Sequence, residues 1–174
     1  MNNDQSARRA GWIMLALFWM LVLATGTWFY HGVLERQHNP NLHLLGDAGE
    51  HSAGIVLHRN RSGHYLATGR INGEPVHFLL DTGATYVAVP ASLAEQLGLQ
   101  STGRAWFETA NGRVQGDLTV LDEVRLGDVV VHRVRAVIMP DMSGDRALLG
   151  MSFLNHFDIR VRDGRMELSP PGSL

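Results

Sequence analysis

The sequence predicts a mostly β domain, a closed and largely antiparallel barrel or sandwich, carried behind one amino-terminal transmembrane helix. Three observations lead there. From Gly54 onward, short apolar runs are punctuated by Asn-Gly, Gly-Asp and Asp-Gly pairs, which is the chemistry of tight hairpin turns. Only two stretches of that region read as helical, and both are short. Ahead of them lies GWIMLALFWMLVLATGTWFY, Gly11 to Tyr30, without a single charge.

Taken in order, the first element is that apolar run. A helix of this length is about 30 Å long, the thickness of a bilayer core. Trp12 near one end, and Trp28 with Tyr30 at the other, suit the two membrane interfaces. A cleaved signal peptide ending near Ala24-Thr25-Gly26 and a buried core helix are the competing readings. Uniform apolarity at the chain terminus favours an uncleaved anchor over 11–30. Arg8 and Arg9 precede the span and only Arg36 follows closely, which places residues 1–10 in the cytoplasm and the rest beyond the membrane.

Residues 31–54 mix His, Asn, Gly, Pro and Glu without periodicity and read as a stalk, with Asn39-Pro40 disfavouring helix. His31, His38, His43 and His51 fall here, but their spacing matches no metal-binding pattern, and neither metal nor cofactor is expected. Ile55-Val56-Leu57 opens the β region, broken by Asn60-Arg61-Ser62-Gly63. His64–Ile71 and Val76–Leu80 form a hairpin about Asn72-Gly73. Tyr86–Val89 is the next strand, and Pro90 opens a helix over Ser92–Leu97 that Gly98 stops. Trp106-Phe107 and Arg113-Val114 flank a second turn at Asn111-Gly112. Leu118–Leu126 and Val129–Met139 pair around Gly127-Asp128. A helix over Met151–His156 leads to strands Asp158–Arg162 and Met166–Ser169, joined by Asp163-Gly164, and residues 171–174 form a tail.

Composition narrows the function. Fifteen basic residues, all arginine, against 17 acidic ones give a formal charge of −2, so no nucleic-acid partner is expected. Cysteine is absent, which excludes disulfides, thiolate zinc sites and cysteine nucleophiles.

One constellation carries chemistry: Phe78-Leu79-Leu80-Asp81-Thr82-Gly83-Ala84-Thr85. A carboxylate directly after buried apolar residues is costly unless it is hydrogen-bonded or functional. Thr82 and Thr85 supply hydroxyls, and Gly83 permits a tight turn whose amide approaches the acid. A second signature, Ala147-Leu148-Leu149-Gly150, lies downstream just before the last short helix. A bare Asp-Thr-Gly arises by chance in roughly a few per cent of chains this long. The apolar lead-in, the Ala-Thr sequel and the second element make chance a poor explanation.

Together these residues resemble the retroviral-type (retropepsin-like) single-domain aspartic proteases, and especially their membrane-anchored bacterial branch. The likeness spans about 55–170 and includes Gly63-His64-Tyr65 and Ile71-Asn72-Gly73. It implies a closed antiparallel barrel of the retropepsin type and an aspartic endopeptidase acting on extended polypeptide. Two carboxylates are then needed, one ionised to activate water and one protonated to polarise the scissile carbonyl; such a pair shares a proton, because like charges a few ångströms apart resist ionising together. The chain has a single such loop, so the resemblance implies a homodimer in which Asp81 of one protomer meets Asp81 of its partner.

The resemblance further assigns roles. Thr82 braces the two loops, Gly83 gives backbone contact, Thr85 hydrogen-bonds at the carboxylate, and Leu148, Leu149 and Gly150 support the loop from beside it. Ala110, Asn111 and Gly112 fall at the tip of the flap that closes over substrate. Two departures concern assembly: Met151 stands where retroviral enzymes carry an arginine, and the chain ends in Pro170-Pro171-Gly172 rather than in a strand able to join a sheet. The branch implies a bacterial inner-membrane protein with a periplasmic catalytic domain. The alternative function is a catalytically idle module of the same fold that binds extended peptides without turnover.

Overall fold

The computed structural model describes residues 3–41, 54–109 and 112–172, in two compact units, Met1–Gln37 and His38–Leu174. The first is helix α1, Asn3–His38, which overruns the apolar span at both ends. Within it Gly11–Tyr30 is long and apolar enough to cross a membrane, and those residues are exposed on every side. The Thr25 and Thr27 hydroxyls donate to the carbonyls of Leu21 (2.8 Å) and Leu23 (2.7 Å), so neither is left unpaired in an apolar surrounding.

Among its described residues the second unit is mostly β, with two short helices. Its strands are β1 (Ile55–His58), β2 (Leu66–Ile71), β3 (Glu74–Leu80), β4 (Val87–Pro90), β5 (Gly103–Thr109), β6 (Gly112–Leu126), β7 (Val129–Met139), β8 (Arg146–Leu149), β9 (Asp158–Arg162) and β10 (Arg165–Ser169). Helix α2 (Ala91–Gln96) follows β4, and α3 (Met151–Leu154) follows β8. Strands β2-β3-β8-β4-β7-β6 hydrogen-bond in that order, and β6 returns to β2 at Arg70↔Arg125 and Ile71↔Val124, closing a six-stranded barrel. β5 hangs on the outer side of β6, and β1-β10-β9 make a separate antiparallel sheet. The expected closed barrel is present, and among the described residues β3–β8 and β4–β7 pair in parallel.

Local chemistry accounts for the turns. Asn72 and Gly73 both take positive φ (51° and 89°), the primed turn that Asn-Gly favours, and Asn72 also exchanges hydrogen bonds with the backbone of Glu123. Phe78, Leu121, Leu126, Leu149, Phe153 and Leu154 are fully buried and share one core with Leu57 and Leu168 of the smaller sheet. Continuous burial of Val87–Pro90 explains why β4 reads as an unbroken apolar run: both its faces are covered.

Two details differ from the sequence expectation. Arg113-Val114 and Leu118–Leu126 belong to a single 15-residue strand, β6, with Gly116 in its middle. A Cβ on Gly116 would stand 2.6 Å from Val137 Cγ2, so this glycine marks a close approach of neighbouring strands and not a break. Secondly, within the stretch read as a stalk, α1 persists to His38 and the next residues join the barrel unit. The buried Asn41 amide donates to the carbonyls of His58 (2.9 Å) and Leu66 (2.7 Å) and accepts from the His58 amide (2.8 Å), bridging β1 to β2. Asn39 donates to the Thr68 hydroxyl at 3.1 Å. Residues 42–53 of that stretch lie outside the described residues.

Asn41→Ala removes the side-chain partner of three backbone groups, the buried Leu66 carbonyl and the partly buried His58 amide and carbonyl. A loss of about 2–3 kcal/mol is expected, read as a fall in the thermal midpoint of the detergent-solubilised protein. An unchanged midpoint would show that the bridge contributes nothing.

Candidate active site

Strand order explains how Asp81 is held. β8 lies between β3 and β4, parallel to the first and touching the second at Ala88↔Leu148. The loop from Asp81 to Tyr86 joins β3 to β4 and therefore wraps the end of β8. Asp81 leaves β3 with its amide donating to the Leu149 carbonyl at 3.2 Å. Its Oδ1 accepts the Gly83 amide at 2.8 Å, and its carbonyl accepts the Ala84 amide at 3.2 Å. A tight turn thus points one backbone N–H at the carboxylate and fixes its orientation. Asp81 is half-buried, while Thr82, Gly83 and Thr85 are exposed. Among the described residues no cation lies within ion-pair distance of Asp81.

The far side of the loop is cradled by the second signature. Leu148 and Leu149 carry the parallel register with Leu79 and Leu80, and Leu149 is fully buried. Gly150 packs directly against the loop backbone: a Cβ there would sit 2.3 Å from the Tyr86 carbonyl oxygen and 2.6 Å from that of Ala84. The Met151 amide donates to the Ala84 carbonyl (2.7 Å) and the Ser152 amide to that of Thr85 (2.9 Å). Met151 therefore acts here through its main chain, which any residue but proline supplies. Thr85 meets α3 through its carbonyl, and its side chain faces solvent.

Ser152 carries no signal in the sequence. Its hydroxyl accepts the Val87 amide at 3.0 Å and donates to the Arg135 carbonyl at 2.7 Å, tying β4, β7 and α3 together behind the loop. A lone serine after Gly-Met has no pattern that would single it out; only the meeting of three elements does. Of the flap residues, Gly112 begins β6 at φ 108° and its carbonyl accepts the Thr109 hydroxyl at 2.7 Å. Ala110 and Asn111 lie outside the described residues. Among the described residues no three His, Asp or Glu gather as metal ligands.

A closed six-stranded barrel whose Asp-Thr-Gly loop encircles a Leu-Leu-Gly strand defines a retropepsin-like aspartic protease fold. The family model described as "gag-polyprotein putative aspartyl protease" matches residues 67–156, which hold both signatures, and the chain belongs to that family. Among solved structures it is similar to a retropepsin-like aspartic protease from Rickettsia conorii, with 28% identity and a TM-score of 0.57 over 67% of this chain and 90% of that one. Two curated relatives are themselves uncharacterised. One, from the cobV 5′ region of a Sinorhizobium species, is 32% identical over 66% of this chain and 51% of its own length. The other, from Rickettsia prowazekii, is 28% identical over 79% of this chain and 61% of its own. The chain thus spans between half and two thirds of the relatives it matches.

Proposed function

We propose that this protein is a membrane-anchored aspartic endopeptidase in which water, activated between two Asp81 carboxylates of a homodimer, hydrolyses peptide bonds of an extended polypeptide. The observation that carries the reading is the Asp81 carboxylate held by the Gly83 amide in an exposed loop whose backbone is clamped by Gly150 and α3. A scaffold has no need of a rigid, half-buried acid at a strand end. The sequence carries one Asp-Thr-Gly loop, so in this reading the second carboxylate comes from a partner chain.

In this mechanism one carboxylate is ionised and takes a proton from water. The other is protonated and donates to the scissile carbonyl oxygen as the water oxygen bonds to the carbonyl carbon. The C–N bond then breaks while the first carboxyl returns its proton to the leaving nitrogen and the second carboxylate takes one back from the gem-diol, so no covalent bond to the protein forms. Thr82 braces the paired loops, and Gly83 and Thr85 hold the loop around the acid. The 110–112 hairpin tip closes over substrate.

The test is cleavage of a diverse peptide mixture by the full chain between about pH 4 and 7, where a carboxylate pair changes protonation, read by mass spectrometry beside Asp81→Ala. Cuts made by the unaltered chain alone support the reading. Equal cutting by both, or by neither at high protein concentration, refutes it. In this reading 11–30 is an uncleaved anchor and the catalytic domain is periplasmic; the apolar span and the Arg8-Arg9 pair ahead of it support that orientation. The protein is expected to stay with membranes through alkaline carbonate extraction and to be digested by protease added to spheroplasts. Release by carbonate would remove the anchor from the proposal.

A further inference from the structure

Next to the loop stands an aromatic pair bearing a cation that the chemistry above does not use. Tyr86, at the end of the Asp81 loop, meets Phe107 of β5 edge to face, with centroids 5.9 Å apart and planes at 85°. Phe107 belongs to the β5–β6 hairpin, so this contact joins the loop to the element proposed to close over substrate. The backbone of β6 makes room for it. A Cβ on Gly116 would lie 3.1 Å from Phe107 Cε2 and 3.0 Å from Met139 Sδ, so a side chain there would push the Phe107 ring off its seat.

Over the Tyr86 ring lies the Arg135 guanidinium, 5.6 Å from the centroid. Arg135 is exposed on β7, and the Ser152 hydroxyl fixes its carbonyl at 2.7 Å. The described ion pairs are Arg104–Asp117, Arg125–Glu123 and Arg162–Asp163, and Arg135 is in none of them. An arginine resting on an aromatic face has lost much of its conformational freedom while its N–H donors stay open to a carboxylate.

We propose that Arg135, seated on Tyr86, is a specificity-determining residue that favours substrates with an acidic side chain in the subsite walled by Tyr86 and Phe107. The proposal rests on the endopeptidase reading, because it needs an extended chain lying between loop and hairpin. Alternate side chains of such a chain point to the same side. One that falls against the Tyr86–Phe107 wall ends within reach of the guanidinium, where Asp or Glu is paired and Lys or Arg is repelled.

The experiment uses the full chain in detergent and peptide sets matched except for Glu/Gln/Lys or Asp/Asn at each position. Cleavage by the unaltered protein and by Arg135→Gln and Arg135→Glu is read by mass spectrometry. Binding of the same labelled peptides to Asp81→Asn forms is read by fluorescence anisotropy. The unaltered protein is expected to favour the acidic peptide at one position by about fivefold, the upper range for an exposed ion pair. Arg135→Gln should abolish that preference, Arg135→Glu should reverse it toward Lys, and added salt should weaken it. Cleavage without charge preference, or a preference that survives Arg135→Glu, overturns this inference and leaves the protease reading standing. Charge-selective binding that follows Arg135 without any cleavage supports the inference and defeats the protease reading. Failure of all peptides to bind overturns the inference as well.

Discussion

Asp81→Asn is expected to lower peptide hydrolysis by at least about 10³-fold, the scale of losing a general acid–base group. Asparagine has nearly the same shape, and its amide oxygen still accepts the Gly83 N–H that Asp81 Oδ1 accepts at 2.8 Å. The thermal midpoint should therefore barely move, so that lost activity reflects lost chemistry. A sharper result follows from mixing. If the unaltered chain and Asp81→Asn are co-expressed in equal amounts and pair at random, about one quarter of the dimers carry two carboxylates. Activity should fall to about one quarter of that of the same total of unaltered protein. A value of about one half would mean that each chain works alone, and the shared site would be wrong.

Gly150→Ala is expected to have the largest effect on the fold around the site. Gly150 has an extended backbone, φ −90° and ψ −173°, which any residue adopts, so torsion does not demand glycine there. Space does. The added Cβ would meet two carbonyl oxygens, those of Tyr86 and Ala84, at 2.3 and 2.6 Å, and both are main-chain atoms that no rotamer change can move aside. The loop must shift away from β8, breaking the bonds from the Met151 and Ser152 amides that hold it. A destabilisation of about 3 kcal/mol or more is expected, with loss of activity even in protein that remains folded. Gly103→Ala is the control: its Cβ would have nothing within 4 Å, and β5 should tolerate it. Equal midpoints for the two variants would show that Gly150 is not a packing requirement.

Much of the fold was readable because the turns are local. Asn72-Gly73, Gly127-Asp128 and Asp163-Gly164 each sit between paired strands, and the left-handed conformations of Asn72, Gly73, Gly127, Asp163 and Gly164 suit those residue types. Gly116 shows the limit of that reasoning. A glycine within a strand pattern suggests an interruption, yet here it admits Val137, Met139 and Phe107 from neighbouring strands, which no local pattern encodes. Asn41 is a similar case. Its composition-poor surroundings read as solvated chain, but its amide matches the hydrogen-bonding pattern of a peptide group and fills a gap between His58 and Leu66. The Asp81 loop was legible for the opposite reason: an acid after three apolar residues is an anomaly that sequence displays directly.

The sequence by itself determined the apolar helix, the β character of the second unit, its hairpin turns and the place of the Asp81 loop at the end of an apolar strand. These depend on residue type and near neighbours, through side-chain period, turn conformation and the cost of burying charge. Only the tertiary structure decided that β8 passes between β3 and β4, that Gly116 admits side chains from neighbouring strands, that Ser152 ties three elements, and that Arg135 rests on Tyr86. Those contacts join residues tens of positions apart, where the deciding quantity is the space left by closing the barrel, and that space exists only once every strand is in place.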